Sequence, residues 1–470
     1  MKDPRPAVHW FTSDLRLRDN PALALAARHG PVAAVFVRDP ALLARHAAAR
    51  RRIAFMDACL VALDADLAAR GSRLVVLDGR AVDELPRIAA RLGAGVVTHA
   101  VNHEPAARAR ETAVARALAV GGVTVERTDA GTAHPPGTVL NASGAAYLVY
   151  GPFTRAWAVR PVPAATSAPR RWVDTATLAG LGRRPPAPAG SVQLPPAGED
   201  GARGRLAAFV RSGLARYAEE RDFPGAEATS RLSYHFRWGT LSPAACRAAA
   251  DAAARDPAAR TGAAKWRGEL AWRDFFVQLL AAHPRVAREP LRPLPIRWRT
   301  SARDFDRWRE GRTGYPLVDA GMRELAASGF MHNRVRMVAA SFLTRHLLID
   351  WRLGERHFMA ELLDGQLAQN DGNWQWVAGT GADAQPFHRI FSPVRQGERF
   401  DPDGTYVRRW VPELARVPAA HVHAPWTLAP LDRRRLCSDY PPPVVEHDAA
   451  RARVAAAIAD AERGRSRRRA

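Results

Sequence analysis

Over residues 1–130, short runs of β-branched and aliphatic residues alternate with Ala-rich amphipathic stretches, which predicts a parallel sheet covered by helices. Strands are predicted at Val8 to Phe11, Val32 to Val37, Leu74 to Leu77, Val96 to His99 and Val123 to Glu126, each bounded by Gly, Asp, Arg or Pro. Helices should open at Asn20-Pro21, at Asp39-Pro40 (running to about Arg70) and at Glu104-Pro105, because proline suits the first helical position. From Pro161 to Gly204 the chain turns to Pro, Ala and Gly, as in Arg184-Pro-Pro-Ala-Pro-Ala-Gly190, a composition that holds neither helix nor ladder. Beyond Gly201 periods of three and four take over, predicting helices at Leu206 to Tyr217, Pro243 to Ala254, Ala263 to His283, Pro316 to Ser328 and Asn333 to Leu348. The expected organisation is a Rossmann-like α/β parallel-sheet domain at 1–130, a linker at 131–204, an all-α domain at 205–447 and a basic tail at 448–470. Within that tail, the arginine-rich stretch from Arg463 to Ala470 is expected to be disordered.

Length agrees with two domains, since 470 residues exceed what one hydrophobic core supports. No apolar run approaches the ~18–20 residues of a membrane span, and Met1 to Val8 shows no signal-peptide core, so a cytoplasmic, membrane-free monomer is expected. Cys59, Cys246 and Cys437 stand far apart without CxxC spacing, and no histidine pair is backed by carboxylates, so neither a disulfide framework nor a metal site is expected. Charge changes the picture more: 69 Lys+Arg against 47 Asp+Glu leave +22, a field that favours polyanions, nucleic acid first. Only Lys2 and Lys265 are lysines, a bias that GC-rich codon usage also produces, yet such usage does not explain the excess over acids.

The sheet half carries no GxGxxG and no GxxxxGK[ST], so it has no dinucleotide or P-loop fingerprint. Chemistry concentrates in the helical half. Thr229-Ser-Arg-Leu-Ser233 follows the Pro224-Gly225 breaker and suits phosphate binding, although ordinary helix capping uses the same residues. Glu269, Trp272, Arg273 and Phe276 recur at i, i+3, i+4 and i+7, which places an acid, a cation and aromatics on one helical stripe. Met331-His-Asn-Arg-Val-Arg-Met337 and Leu363-Asp-Gly-Gln-Leu-Ala-Gln-Asn-Asp-Gly-Asn-Trp374-Gln-Trp376 put polar residues where a helical core wants Leu, implying a ligand rich in heteroatoms. Ten of the 13 tryptophans fall between Trp238 and Trp426, a density beyond what filling a core requires.

These blocks in this order resemble the photolyase/cryptochrome flavoprotein family, nearest its class I cyclobutane-dimer branch. The resemblance also takes in Trp10-Phe-Thr-Ser-Asp-Leu-Arg-Leu-Arg-Asp-Asn-Pro21, Val149-Tyr-Gly-Pro-Phe153, Phe387-His-Arg-Ile-Phe391 and Trp410-Val-Pro-Glu-Leu414, so it spans almost the whole chain. It implies an antenna domain, a helical domain holding FAD folded into a U, and light-driven repair of cyclobutane pyrimidine dimers in UV-damaged DNA. By the same resemblance Tyr217 and Thr229, Ser230, Arg231, Leu232 and Ser233 hold the FAD phosphates and ribose. Trp266, Glu269, Arg273, Asn333, Arg336, Asp364, Gln366 and Asn370 then surround the flavin, with Arg336 and Asp364 as an ion pair and Asn370 at N5. Glu269, Asn333 and Met337 meet the flipped dimer between Trp272 and Trp376, while Arg221, Arg334, Arg389 and Gln396 hold DNA. Electrons reach FAD along Trp298, Trp351 and Trp374, with Trp308 and Trp426 left to core packing.

Some positions depart from the family's usual pattern. Gln366 replaces a common Asp, Asp371 a common Asn and Tyr234 a common Pro, and His388 stands where an aromatic is frequent. His46 and Glu104 are present at the antenna, but Ala106 and Ala107 replace the Asn and Glu of folate binders, whereas Arg52 matches members that use a deazaflavin. 8-Hydroxydeazaflavin is therefore preferred over methenyltetrahydrofolate, even though Asn102 stands where deazaflavin binders often have Asp. The competing functions are a cryptochrome-like photoreceptor and a (6-4) photolyase. Met337 counts against the latter and Asn370 favours repair over signalling.

Overall fold

The computed structural model describes residues 5–190, 193–294 and 296–469; the side chains of 462 and 464–469, and all of Ala470, lie outside the description. Five strands, β1 (Ala7–Phe11), β2 (Val32–Arg38), β3 (Leu74–Asp78), β4 (Val96–Ala100) and β5 (Thr124–Thr128), form one parallel sheet in the order β3-β2-β1-β4-β5. All five match the predicted strands within two residues at each end. Trp10 of β1 lies opposite Val35 on one side and His99 on the other. β1 is buried throughout, as expected for a strand covered on both faces.

The helices that follow in chain order are α1 (Pro21–Ala26), α2 (Pro40–Arg45), α3 (Arg50–Ala68), α4 (Ala81–Leu92), α5 (Pro105–Val120), α6 (Tyr150–Ala158), α7 (Gly198–Ala208), α8 (Tyr217–Glu220), α9 (Ser233–Trp238), α10 (Pro243–Ala253) and α11 (Arg260–Ala282). The helix expected from Pro40 to about Arg70 is two helices, because the backbone tightens at His46, whose N–H bonds to both Leu42 and Leu43, and turns before Arg50. α4 escapes a sequence reading because Pro86 sits inside it; Val82, Leu85 and Ile88 nevertheless pack on the sheet, and Gly93 (φ 60°) closes it.

The chain divides into two compact units, and the division differs from the expected one at residue 204. The first runs to Ala218 and adds Ser230–Ala287 and Leu363–Ala368. Tyr234, Trp238 and Leu363 therefore share a core with Phe11, Phe55 and Leu60. Buried Arg16 fixes this union through the carbonyls of Asp19, Gly239 and Ala130. Gly239 (φ 64°) has no substitute there, since a Cβ would lie 2.0 Å from the Ser13 carbonyl. The proline-rich stretch is extended yet attached to the sheet, through bridges of Val32 with Trp172 and of Val76 with Arg183.

The second unit comprises Glu219–Thr229, Arg288–Leu362 and Gln369–Ala470. Its helices are α12 (Ala302–Arg309), α13 (Pro316–Ser328), α14 (Asn333–Ser341), α15 (Trp351–Glu361), α16 (Leu367–Ala378), α17 (Pro393–Phe400), α18 (Thr405–Trp410), α19 (Pro430–Cys437) and α20 (His447–Arg469). Trp308, Tyr315, Phe342, Trp351, Phe358 and Trp374 form its aromatic core. The helix expected from Asn333 to Leu348 is α14 plus a π-helical turn over Phe342–His346, and the chain leaves it at Leu348 with φ 53°. The expected disorder after Arg463 is also corrected, because the backbone is helical to Arg469. Two anchors dock the helix: His346 meets His447 at 2.9 Å, and Val454 is buried with Leu348 and Phe387.

Candidate active site

Each unit carries part of the predicted site. In the first, α11 is regular from end to end, so the stripe of Glu269, Trp272, Arg273 and Phe276 forms as the spacing predicts. Arg273 is buried; it donates to the Gly131 carbonyl and to Gln366 Oε1 at 3.3 Å, and lies 3.8 Å from Asp274. Burial pushes the Asp274 carboxyl up to about 6 against the pull of Arg273, while the backbone N–H groups of Ala133 and His134 and the Trp157 indole donate to it. Position 366 is an amide rather than a carboxylate, so the acid beside Arg273 is Asp274 and not residue 366. Trp266 and Tyr217 both pack edge-on against Phe209, with ring centroids 5.1 and 5.5 Å away. Trp272 is half-buried and stacks on Tyr150.

In the phosphate-binding candidate, Arg205 donates to the Ser230 carbonyl at 2.8 Å, Arg231 takes a left-handed φ of 50°, Leu232 is buried and Ser233 opens α9. A non-glycine residue in that conformation marks a loop whose shape the surroundings impose. Asp364, in the same unit, contributes to the fields at Arg52 and Tyr234.

In the second unit α14 begins at Asn333, and His332 caps it by accepting from the Arg334 N–H. Burial holds the His332 imidazole down at about 4, so it is neutral at ordinary pH. Exposed Asn333 and half-buried Met337, one turn apart, approach through Nδ2 and Sδ at 3.9 Å. Arg336 donates to the Met331 carbonyl and lies over Phe330. Arg334 lies over Phe400 and shares Asp222 with Arg221, at 3.0 and 3.6 Å. Arg389 is exposed and Gln396 is half-buried with a buried Oε1 lacking a partner.

On α16, Asn370 donates to Glu355 Oε1 at 2.9 Å and to the Glu355 carbonyl. Asp371 is buried beside it and accepts from Gln375, whose Oε1 in turn accepts from the Leu291 N–H. Desolvation pushes the Asp371 carboxyl up to about 8, with Glu355 adding to the effect, so the acid holds its proton at neutral pH. Trp374 packs against Phe358 and Trp308, at 5.0 and 6.1 Å, and it shares the core with Trp351, while Trp298 and Trp376 lie half-buried against that core. Gly354 makes room for Trp374, since a Cβ would lie 2.2 Å from the indole.

Two family models match the chain: "DNA photolyase" over residues 7–170 and "FAD binding domain of DNA photolyase" over residues 266–460. The chain is 44% identical to a deoxyribodipyrimidine photo-lyase from Streptomyces griseus, covering 95% of this chain and 98% of that one. It is 38% identical to the deoxyribodipyrimidine photo-lyase of Escherichia coli, covering 97% and 99%. The chain belongs to the DNA photolyase family. Among solved structures, a bacterial class III photolyase from Agrobacterium tumefaciens superposes with a TM-score of 0.88, at 38% identity and 98% coverage of both chains.

FAD is the cofactor of this photolyase, and the residues present fit it. The shaped Ser230–Ser233 segment offers hydroxyls and backbone N–H groups to phosphates, and Arg273 is a buried guanidinium held between Asp274 and the Gln366 amide. Among the described residues no group of His, Cys, Asp and Glu could hold a metal ion, and no helix is long and apolar enough to cross a membrane.

The antenna candidates lie where ligands bind in open parallel sheets, past the carboxyl ends of the strands near the β1–β4 switch point. His46 ends α2, Arg52 lies in the first turn of α3 and Glu104 precedes α5. Two cations missed in the sequence join them: Arg110 lies over Trp10, and Arg237 acts electrostatically on His46, Arg52 and Arg110. Burial lowers Arg52 to about 10 and also lowers His46 and Arg110. The Nε atoms of Arg110 and Arg237 are buried without hydrogen-bond partners. No local signal marks these two, because Arg237 is more than a hundred residues distant from the rest of the cluster in sequence.

Proposed function

We propose that this photolyase repairs cyclobutane pyrimidine dimers in DNA, using light and reduced FAD. The observation that carries the reading is the likeness to two deoxyribodipyrimidine photo-lyases, 44% and 38% identical over 95% and 97% of this chain. Tyr217, the 229–233 segment, Trp266, Arg273, Arg336, Asp364, Gln366 and Asn370 would hold FAD, which when bound supplies a light-driven electron to the lesion. The chain's own tasks are to admit the flipped dimer, exclude water around it and stabilise charge as it develops there. Glu269 is assigned the hydrogen bond to the dimer carbonyls, and Trp272 and Trp376 the apolar walls. Asn333 and Met337 are assigned to the lesion as well, and on their helix a neutral His332 caps the start of α14 rather than supplying a proton. Arg334, held over Phe400, and Arg221 offer prepositioned charge to phosphates, and exposed Arg389 adds a mobile contact. Trp374, Trp351 and Trp298 run from buried to half-exposed, the order that conduction toward FAD needs.

For the second chromophore, the Arg52, Arg110 and Arg237 cluster supports an anionic ring system, as in ionised 8-hydroxydeazaflavin, over the cationic ring of methenyltetrahydrofolate. An absorption spectrum of the purified protein tests this, an extra band besides those of FAD identifying the antenna. Repair is tested with UV-irradiated oligo(dT): photoreduced enzyme under blue light should restore thymine absorbance. A protein that binds FAD and photoreduces but leaves the dimers intact would instead be a photoreceptor.

A further inference from the structure

The stretch between the sheet and α7, expected to be a linker, contains α6, which docks along α11 by three matched contacts. Trp157 donates to Asp274 at 2.8 Å, Phe153 meets Phe275 at 5.2 Å, and Tyr150 stacks on Trp272 with centroids 3.6 Å apart and planes within 5° of parallel. Tyr150, Phe153 and Trp157 recur at i, i+3 and i+7, so they share one face of α6. Phe153 and Trp157 are buried anchors, whereas Tyr150 and Trp272 are only half-buried. The Tyr150 hydroxyl donates to the Gly268 carbonyl at 2.7 Å, one turn before Trp272 on α11.

We propose that Tyr150 is a positioning residue that braces Trp272 for the lesion. The inference rests on the assignment of Trp272 as a lesion wall. A half-exposed indole on a helix surface samples several rotamers, and each one lost on binding weakens affinity. Tyr150 is fixed at both ends to the helix that carries Trp272, by its ring on the indole and by its hydroxyl on the backbone. It therefore holds the indole plane before the lesion arrives and removes that ordering cost.

The test compares Tyr150→Leu, which removes the stacking face, with Tyr150→Phe, which keeps it. Tyr150→Leu should weaken binding to a single-dimer oligonucleotide by about fivefold, the size expected from one aromatic pair plus lost preorganisation. Its FAD content and its affinity for the undamaged oligonucleotide should not change. Tyr150→Phe should stay within about twofold of the parent, because the ring does most of the bracing. Unchanged dimer affinity in Tyr150→Leu, or equal losses on damaged and undamaged DNA, would overturn the proposal. Trp272→Leu separates the two ideas: if it leaves dimer affinity intact, the lesion-wall assignment fails. The brace itself is read from fluorine NMR of 5-fluorotryptophan-labelled protein, with the Trp272 resonance assigned by its loss in Trp272→Phe. That resonance should shift and broaden in Tyr150→Leu, and an unmoved resonance would rule the brace out.

Discussion

Glu269 has a role that its neighbours do not share, since it is the one acid on a stripe otherwise made of aromatics and a buried guanidinium. Glu269→Ala should lower dimer repair by about tenfold, the weight of one hydrogen bond to a charged group, while FAD stays bound. Loss of flavin from the variant would move Glu269 from the substrate to the cofactor. Asp371 makes a different prediction. Its carboxyl ordinarily titrates near 3.8 and is held at about 8 in the folded chain, chiefly by desolvation. The folded state therefore keeps a proton that the unfolded chain releases, and stability should fall as pH rises between those values. Asp371→Asn keeps a polar partner for Gln375 and removes the proton, so thermal melts from pH 5 to 8 should show a shallower decline than the parent's. Identical slopes would mean that Asp371 is ionised in the folded protein.

Elements explain why single residues sit where they do. α15 and α16 approach so closely that Gly354 is required beneath Trp374. Gly354→Ala should destabilise the fold by about 1–3 kcal/mol through overpacking and slow photoreduction of FAD, because Trp374 must shift. A stable variant with normal photoreduction would show that the helices can part without disturbing the indole. Element boundaries were legible in the sequence wherever a cap or breaker coincided with the periodicity, as at Pro21, Pro105, Pro243 and Pro316. They were hidden at α4 by an internal proline, and at the π-helical turn after α14 because none of its residues is a glycine or proline that would mark the change of helix type. α20 was missed for a third reason: its arginines dominate the composition, while Val454, which anchors it, needs a partner far away in sequence.

At the scale of the molecule, +22 is the quantity the site must justify. As proposed DNA contacts, Arg221, Arg334 and Arg389 would account for part of it, and buried Arg52 with half-buried Arg110 and Arg237 carries another part. Arg389→Ala should weaken binding to damaged and undamaged DNA alike and reduce the slope of log K against log salt by about one. A loss confined to damaged DNA would make Arg389 a lesion contact. The sequence by itself determined the five strands, the helical second half and the family, and it nominated the site residues, because periodicity, capping and motif spacing are local properties of the chain. Only the tertiary structure decided that α9–α11 pack with the sheet, that Arg110 and Arg237 lie near His46 and Arg52, that burial raises the Asp371 carboxyl and that Tyr150 stacks on Trp272. Each of these depends on burial or on a partner far away in sequence, and neither exists until distant segments meet.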